Sequence, residues 1–215
     1  MTVTELQLRK QIIATARRMN ALGINRGKSG NVSARWKNGF LVTPSGLPYK
    51  ETKPADIVFI DAQARAKGKR PPSSEWRFHF DIYNAKGEAH AVVHTHSSFA
   101  TTLACLAMDV PAFHYMVAVA GGNSIRCAPY ATFGTQTLSD NALAALDGRN
   151  ACLLANHGMI ATAGSLNAAL ALAVEIEALC EQYWRALQIG KPNLLADDEM
   201  ALVVEKFKIY NTQAR

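Results

Sequence analysis

The chain has 215 residues, 49% of them apolar, and a formal charge of +6. That balance excludes a disordered chain, and no apolar run approaches the ~20 residues that span a bilayer. The basic residues are scattered, and the tightest group, Arg65, Lys67, Lys69 and Arg70, has no aromatics interleaved as a single-strand binder requires, so a small anion is the expected partner rather than nucleic acid or a membrane surface.

The N-terminal stretch MTVTELQLRKQII has neither the apolar core nor the small-residue cleavage site of a secretory signal, and a cytoplasmic location is expected. Thr4 and Gln7 have capping-box spacing, Leu8, Ile12, Ala16 and Met19 recur at helical intervals, and Gly23 is a stop; the first helix lies between them. A glycine-rich segment, NRGKSGN, leads into a strand at 32–36. Lys37-Asn38-Gly39 reads as a hairpin turn, because Asn-Gly suits positive φ angles, and the strand returns at 40–42.

After the TPSG turn comes a short apolar strand at 57–60, then the basic loop, then a helix from 75 to about 84. A strand at 91–96 and a helix at 98–107 follow. AFHYMVAVAGG reads as strand and turn, 136–146 as an amphipathic helix, and 151–155 as a buried strand. The longest helix runs over roughly 166–188, with Leu166, Leu170, Ala173, Ile176 and Tyr183 on one stripe, and a last helix covers about 198–208. Helices alternate with strands, and hairpins also occur. That pattern predicts a mixed sheet with helices on both faces, in one domain spanning 1–215. The four cysteines, Cys105, Cys127, Cys152 and Cys180, are widely spaced with no C-x-x-C pair and read as reduced thiols.

The chemistry begins with His94 and His96. Residues two apart on a strand face the same way, so the two imidazoles sit about 6–7 Å apart on one face and can converge on one metal. The plainer alternative is a pair of polar residues closing a strand toward water. His157, in LLANHGM, also follows an apolar strand, and Glu75 opens a helix in PPSSEW. If the strands at 91–96 and 151–155 are sheet neighbours, three imidazoles and a carboxylate meet at their ends. His79 lies four residues after Glu75, so on a helix the two share a face; it reads first as a helix-surface pair and second as a partner supporting Glu75 from behind. The turns SGNVS, TPSG and PPSSE offer hydroxyls and free backbone N–H groups suited to a phosphate, although each alone is an ordinary turn. No G-x-G-x-x-G or P-loop pattern occurs, so no nucleotide site is expected.

Taken in order, GNVSAR, LVTPSGLPY, PSSEWRFH, AVVHTHS, PAFHYMVAVAGGNSIRCAPYATFGT, LLANHGMIA and EKFKIY resemble the class II aldolase/adducin family over nearly the whole chain. The resemblance implies a single-domain α/β/α sandwich around a central mixed, largely antiparallel sheet. It implies one zinc ion (Zn2+) per subunit held by His94, His96 and His157, with Glu75 as a further ligand and as the base. It places Asn31, Ser45, Gly46, Ser73 and Ser74 at the substrate phosphate. It also implies a homotetramer in which Tyr115 reaches a neighbouring subunit's site and protonates the aldehyde oxygen. The implied reaction is cleavage of a ketose 1-phosphate, such as L-fuculose 1-phosphate, to dihydroxyacetone phosphate and an aldehyde. The same family contains 3-oxo-tetronate phosphate decarboxylases, pentulose-phosphate 4-epimerases and non-enzymatic scaffolds. Glutamate rather than aspartate at position 75 favours aldol cleavage over epimerisation, and a full set of ligands disfavours a scaffold. Lys28 departs from the pattern, standing where the family's prototype has a small residue.

Overall fold

A computed structural model describes residues 3–213. The first helix, α1 (Glu5–Ala21), carries the expected capping box between Thr4 and Gln7. It ends at Leu22, with Gly23 at a φ of 75° just beyond. The strands are β1 (Asn31–Trp36), β2 (Gly39–Val42), β3 (Val58–Asp61), β4 (Ala66–Lys67), β5 (Ala91–Thr95), β6 (Cys127–Ala128), β7 (Ala151–Leu154) and β8 (Gly158–Ala163). The remaining helices are α2 (Trp76–Ala85), α3 (Ser98–Cys105), α4 (Gln136–Ala145), α5 (Leu166–Ile189) and α6 (Asp197–Gln213).

The strands form one sheet in the order β4-β3-β2-β1-β5-β8-β7-β6. Every pairing is antiparallel except β6 with β7, whose connection runs through α4, as a parallel pair requires a crossover. The sheet is therefore mixed and largely antiparallel, as expected.

Side-chain alternation divides the interior in two. Ala91 and Val93 of β5, Leu153 of β7 and Met159 and Ala161 of β8 pack toward one face, with Ile12, Ala16 and Met19 of α1, Leu103 of α3 and Leu170 and Ile176 of α5. Val92, Cys152, Leu154 and Ile160 point to the other face, against Phe78 and Ile82 of α2 and Leu138 and Ala142 of α4. Position 94 shares the parity of position 92, so the pleat aims His94 at the α2 layer before any chemistry is considered.

Two sequence expectations change. PAFHYMVAVAGG is not a strand: Tyr115–Ala120 forms a 3-10 helix. His114 Nδ1 accepts a hydrogen bond from the Met116 amide at 3.1 Å, the small side chains of Ala118 and Ala120 are buried, and Gly121 closes the turn at a φ of 99°. The second change is β8. NHGMIAT is too short and too apolar a run to separate strand from turn by pattern. It pairs with both β5 and β7, so the strands at 91–96 and 151–155 are not direct neighbours. Among the described residues no helix is long and apolar enough to cross a membrane.

Candidate metal centre

The end of β5 and the turn between β7 and β8 meet over the start of α2. His94 lies in the fully buried strand β5, one residue before its end, and His96 follows just past it. His157 comes from the three-residue connection 155–157, in which Asn156 adopts a φ of 54°, a left-handed conformation that asparagine tolerates. Leu154 pairs with Gly158 across that turn, which holds His157 at the sheet's end. Glu75 stands at the N-cap of α2 but makes no capping bond with its side chain, so its carboxylate is free to turn inward.

The four side chains form one cluster, with a ligand atom of each within 4.8 Å of those of the others. Glu75 Oε2 lies 3.2 Å from His94 Nε2, and Oε1 lies 3.0 Å from His157 Nε2. His94 Nε2 and His96 Nε2 face each other at 3.0 Å. The three rings stand edge to face with centroids 4.8 to 4.9 Å apart. Glu75 and His94 are buried, while His96 and His157 reach partly to solvent.

Proton bookkeeping shows what this arrangement fits. His94 Nδ1 is 2.9 Å from the Met159 carbonyl oxygen, an acceptor only, so Nδ1 carries the ring proton and Nε2 offers a lone pair. That lone pair points at a second imidazole nitrogen and at a carboxylate oxygen. Glu75 Oε1 is buried and has no hydrogen-bond partner. Burial acts to raise the Glu75 pKa, but the facing His94 and His157 more than offset it and hold the carboxyl well below the usual range. Burial pushes His96 down to about 3, which keeps that ring neutral and basic toward a cation. Three imidazole nitrogens and one carboxylate oxygen converging with an orphaned buried oxygen fit a divalent metal such as zinc.

Glycines make the convergence possible. A Cβ at Gly30 of the β1 approach would lie 2.5 Å from the His94 carbonyl oxygen, and one at Gly158 would collide with the Thr95 carbonyl oxygen and sit 3.1 Å from His96 Cδ2. Gly158→Ala therefore pushes β8 away from β5 at the ligand end. The expected cost is about 1–3 kcal/mol of stability, read as a lowered Tm, together with weaker metal retention after dialysis.

The small polar turns gather beside the cluster. The Ser45 amide donates to the Pro71 carbonyl at 3.1 Å and the Ser73 amide to the Thr43 carbonyl at 3.0 Å, which joins the 43–46 turn to the segment before α2. Ser45, Gly46 and Ser74 are exposed at this junction, and Ser73 is buried with its hydroxyl accepting from the Glu75 amide at 3.3 Å. Lys28 Nζ donates to the Gly46 carbonyl at 3.0 Å, so its ammonium group sits on the same loops. Ser29 and Ser74 line a cleft with Glu75, His96 and His157.

Other expectations are redistributed. Asn31 is not free for the phosphate turns: its Nδ2 donates to Glu75 Oε2 at 2.9 Å and its Oδ1 faces His79 at 2.5 Å, because β1 runs directly under α2. His79 is fully buried rather than on the helix surface. Tyr115 lies outside the cluster, 51% exposed and stacked on Phe207 of α6 with ring centroids 6.4 Å apart. Sequence reasoning missed Tyr130 and Phe133, which line the same cleft and remain 61% and 64% exposed. The signal was present in CAPYATFGT, where two aromatics occupy a segment too rich in proline, glycine and threonine to bury them.

The chain's sequence matches the family model of the class II aldolase and adducin N-terminal domain over residues 10–184. It is 56% identical over 212 residues to a 5-methylthioribulose-1-phosphate/5-deoxyribulose-1-phosphate aldolase of Rhodospirillum rubrum, covering 99% of this chain and 96% of that one. It is 48% identical over 205 residues to the L-fuculose phosphate aldolase of Escherichia coli K12, covering 95% of each. A solved structure of an L-fuculose 1-phosphate aldolase superposes with a TM-score of 0.92 at 39% identity, over 97% of this chain and 98% of that one.

Proposed function

The chain belongs to the class II aldolase and adducin family and is a metal-dependent aldolase, and on that premise we propose that it cleaves a ketose 1-phosphate with an apolar terminal group into dihydroxyacetone phosphate and an aldehyde. One observation carries the reading. The four-donor cluster opens into a cleft with hydroxyls from Ser29 and Ser74 and exposed rings from Tyr130 and Phe133. A substrate that is anionic at one end and apolar at the other fits such walls. The substrates named for the relatives have this form, since 5-deoxyribulose, 5-methylthioribulose and fuculose, a 6-deoxy sugar, all lack a hydroxyl on the terminal carbon.

His94, His96 and His157, with Glu75, would hold a divalent cation, for which we assign zinc on the donor set, and that ion would supply Lewis-acid stabilisation of the negative charge that develops on cleavage. The residues do the rest. Ser45, Gly46, Ser73 and Ser74 form the phosphate end, with the exposed Ser45 and Ser74 hydroxyls and the Gly46 and Ser74 backbone N–H groups facing the anion and the Ser45 and Ser73 amides tying the two turns together. Cleavage takes the proton from the C4 hydroxyl, breaks the C3–C4 bond and leaves the electron pair on C3 as an enediolate. Glu75, which takes up a proton from solvent once the enediolate has formed, delivers it to C3 and completes dihydroxyacetone phosphate, and the C4 hydroxyl proton ultimately leaves to solvent, so that no net proton is consumed. Tyr115 from a neighbouring subunit accepts the C4 hydroxyl proton, and in the reverse direction it protonates the aldehyde oxygen. This role assigns the protein as a homotetramer with sites at subunit interfaces, and the exposure of Tyr115 supports it. A cytoplasmic location and one domain over 1–215 complete the reading, supported by four free cysteines.

The test compares dihydroxyacetone phosphate release from 5-methylthioribulose 1-phosphate, 5-deoxyribulose 1-phosphate, L-fuculose 1-phosphate and ribulose 1-phosphate. The first three are expected to exceed ribulose 1-phosphate in kcat/KM by about 10-fold or more, the scale of burying an apolar terminus. Equal rates would sink the apolar-terminus reading. A metal-loaded protein that releases carbon dioxide or an epimer instead would move the function to the decarboxylase or epimerase branch.

Lys28 contributes at the phosphate end. With its ammonium group already on the Gly46 carbonyl, it is placed to pair with the dianion. Lys28→Ala is expected to raise KM by about 5–20-fold with kcat nearly unchanged, the pattern of binding energy shared by ground and transition states.

A further inference from the structure

Behind Glu75 lies a row of buried polar groups shared by two elements. Glu75, His79 and Tyr83 fall at i, i+4 and i+8, on one stripe running along α2 from its N-cap. Asn31 and Ser33 fall two apart on β1 and share the face turned to that stripe. The two rows interlock. Asn31 Nδ2 donates to Glu75 Oε2 at 2.9 Å, Asn31 Oδ1 meets His79 Nε2 at 2.5 Å, His79 Nδ1 meets Ser33 Oγ at 2.7 Å, and Ser33 Oγ meets the Tyr83 hydroxyl at 2.8 Å. Arg35, next on the same face of β1, closes the row with its guanidinium 4.9 Å from the centre of the Tyr83 ring and donating to the Tyr83 carbonyl at 2.7 Å.

The direction of every hydrogen bond in this row is fixed by one end. An ionised Glu75 only accepts, so Asn31 presents its NH2 group to it and its oxygen to His79. His79 must then donate from Nε2, and a neutral imidazole has one ring proton, so Nδ1 accepts. Ser33 therefore donates to His79 and accepts from the Tyr83 phenol. Burial, reinforced by His94, pushes His79 down to about 3, in keeping with a neutral ring. The ring is also clamped, stacked on Phe78 at 4.6 Å and facing Phe40 at 6.3 Å. Five polar side chains thus have one consistent proton arrangement, and it ends by gripping Oε2 while Oε1 stays unpartnered beside His157.

We propose that His79, Ser33 and Tyr83 are positioning residues that act through Asn31 to fix the orientation of the Glu75 carboxylate. A well-packed apolar layer between α2 and β1 would serve stability as well, since buried polar rows break even at best against apolar packing. What the polar row adds is a carboxylate that cannot swing, with Oε2 held by Asn31 beside His94 and Oε1 aimed at His157. Supporting groups of this kind, when lost, typically cost 10–100-fold in metal affinity or activity.

This inference rests on the metal-dependent aldolase reading, and its test separates the two. Wild type, His79→Phe and His79→Gln are compared for the zinc Kd of the metal-free protein, by competition with a chromophoric chelator, and for kcat and KM. The Phe variant keeps the ring's stacking but loses both nitrogens, and is expected to lower kcat about 10–100-fold with KM within about twofold, and to weaken zinc binding about tenfold or more. The Gln variant restores a donor toward Asn31 and is expected to recover most of both losses. A folded Phe variant equal to wild type, or a Gln variant no better than Phe, overturns the proposal. If the Phe variant does not fold, Tyr83→Phe, which removes one oxygen at the far end, decides: a threefold or greater fall in kcat at constant KM supports the row, and an unchanged kcat overturns it. Wild type that binds no zinc overturns the metal centre and this role with it, whereas variants that match a zinc-binding wild type overturn the positioning role alone.

Discussion

On the proposed mechanism, Glu75→Gln is expected to lower kcat for ketose 1-phosphate cleavage by about 10²–10⁴-fold, the range over which a positioned acid–base group acts. The amide is isosteric with the carboxyl, so the fold and the α2 N-terminus persist, and the three imidazoles still bind metal. On the proposed mechanism, what disappears is the ability to deliver a proton to C3. Glutamine also disturbs the contact with Asn31, because its NH2 group can replace the oxygen that Asn31 Nδ2 now donates to at 2.9 Å. Part of the loss therefore reports disordering rather than missing proton transfer. The two parts separate in metal content, which stays near that of wild type if the proton role dominates. Turnover within twofold of wild type, measured by coupled detection of dihydroxyacetone phosphate, would remove Glu75 from the mechanism.

The second large effect is metal removal. His94, His96 and His157 present nitrogen lone pairs to a common point beside an orphaned carboxylate oxygen. Stripping the protein with a chelator is expected to reduce cleavage by about 10³-fold or more, since several kcal/mol of charge stabilisation are lost. Zinc added back should restore it. The same treatment should lower thermal stability, because an ion that binds only the native state at about 1,000 times its Kd contributes about 4 kcal/mol. For a chain of this size that corresponds to a fall in Tm of roughly 8–16 °C. His94→Ala should reproduce both losses without a chelator, since the cavity it leaves sits at the buried centre of the cluster. A stripped protein with full turnover would exclude metal-dependent chemistry.

Much of the fold was legible from local signals. The capping box at Thr4 and Gln7 and the stripe on α5 are written in neighbouring residues and occur as read; the hairpin between β1 and β2 also forms, but its turn is Lys37-Asn38, with Lys37 rather than Asn38-Gly39 at positive φ and Gly39 already in the strand. The 3-10 helix at Tyr115–Ala120 was not legible, because a run of valine and alanine with aromatics has no period that distinguishes a tight helix from a strand. Strand β8 was hidden for a related reason. GMIATA is short and mostly apolar, and only its partners on both sides declare it a central strand. The site divides the same way. His94 and His96 announced themselves by parity along one strand. That His157 and Glu75 join them depends on β8 lying between β5 and β7 and on α2 crossing β1, which are long-range facts. The burial of His79 was misjudged because one helical pair spacing does not tell which face of α2 meets the sheet.

The scattering of the four ligands along the chain, from position 75 to position 157, bears on how the protein is made rather than on how it works. No local segment contains more than the two ligands at 94 and 96, so a growing or partly folded chain offers an ion only a weak bidentate foothold. The full chelate closes once β8 has docked against β5 and α2 has settled across β1, which makes loading a late event. Contacts formed after the folding barrier slow unfolding and leave the folding rate nearly untouched. An ion bound there would act as a latch on the finished sheet, and is expected to lengthen the lifetime of the native state while leaving the folding rate nearly unchanged.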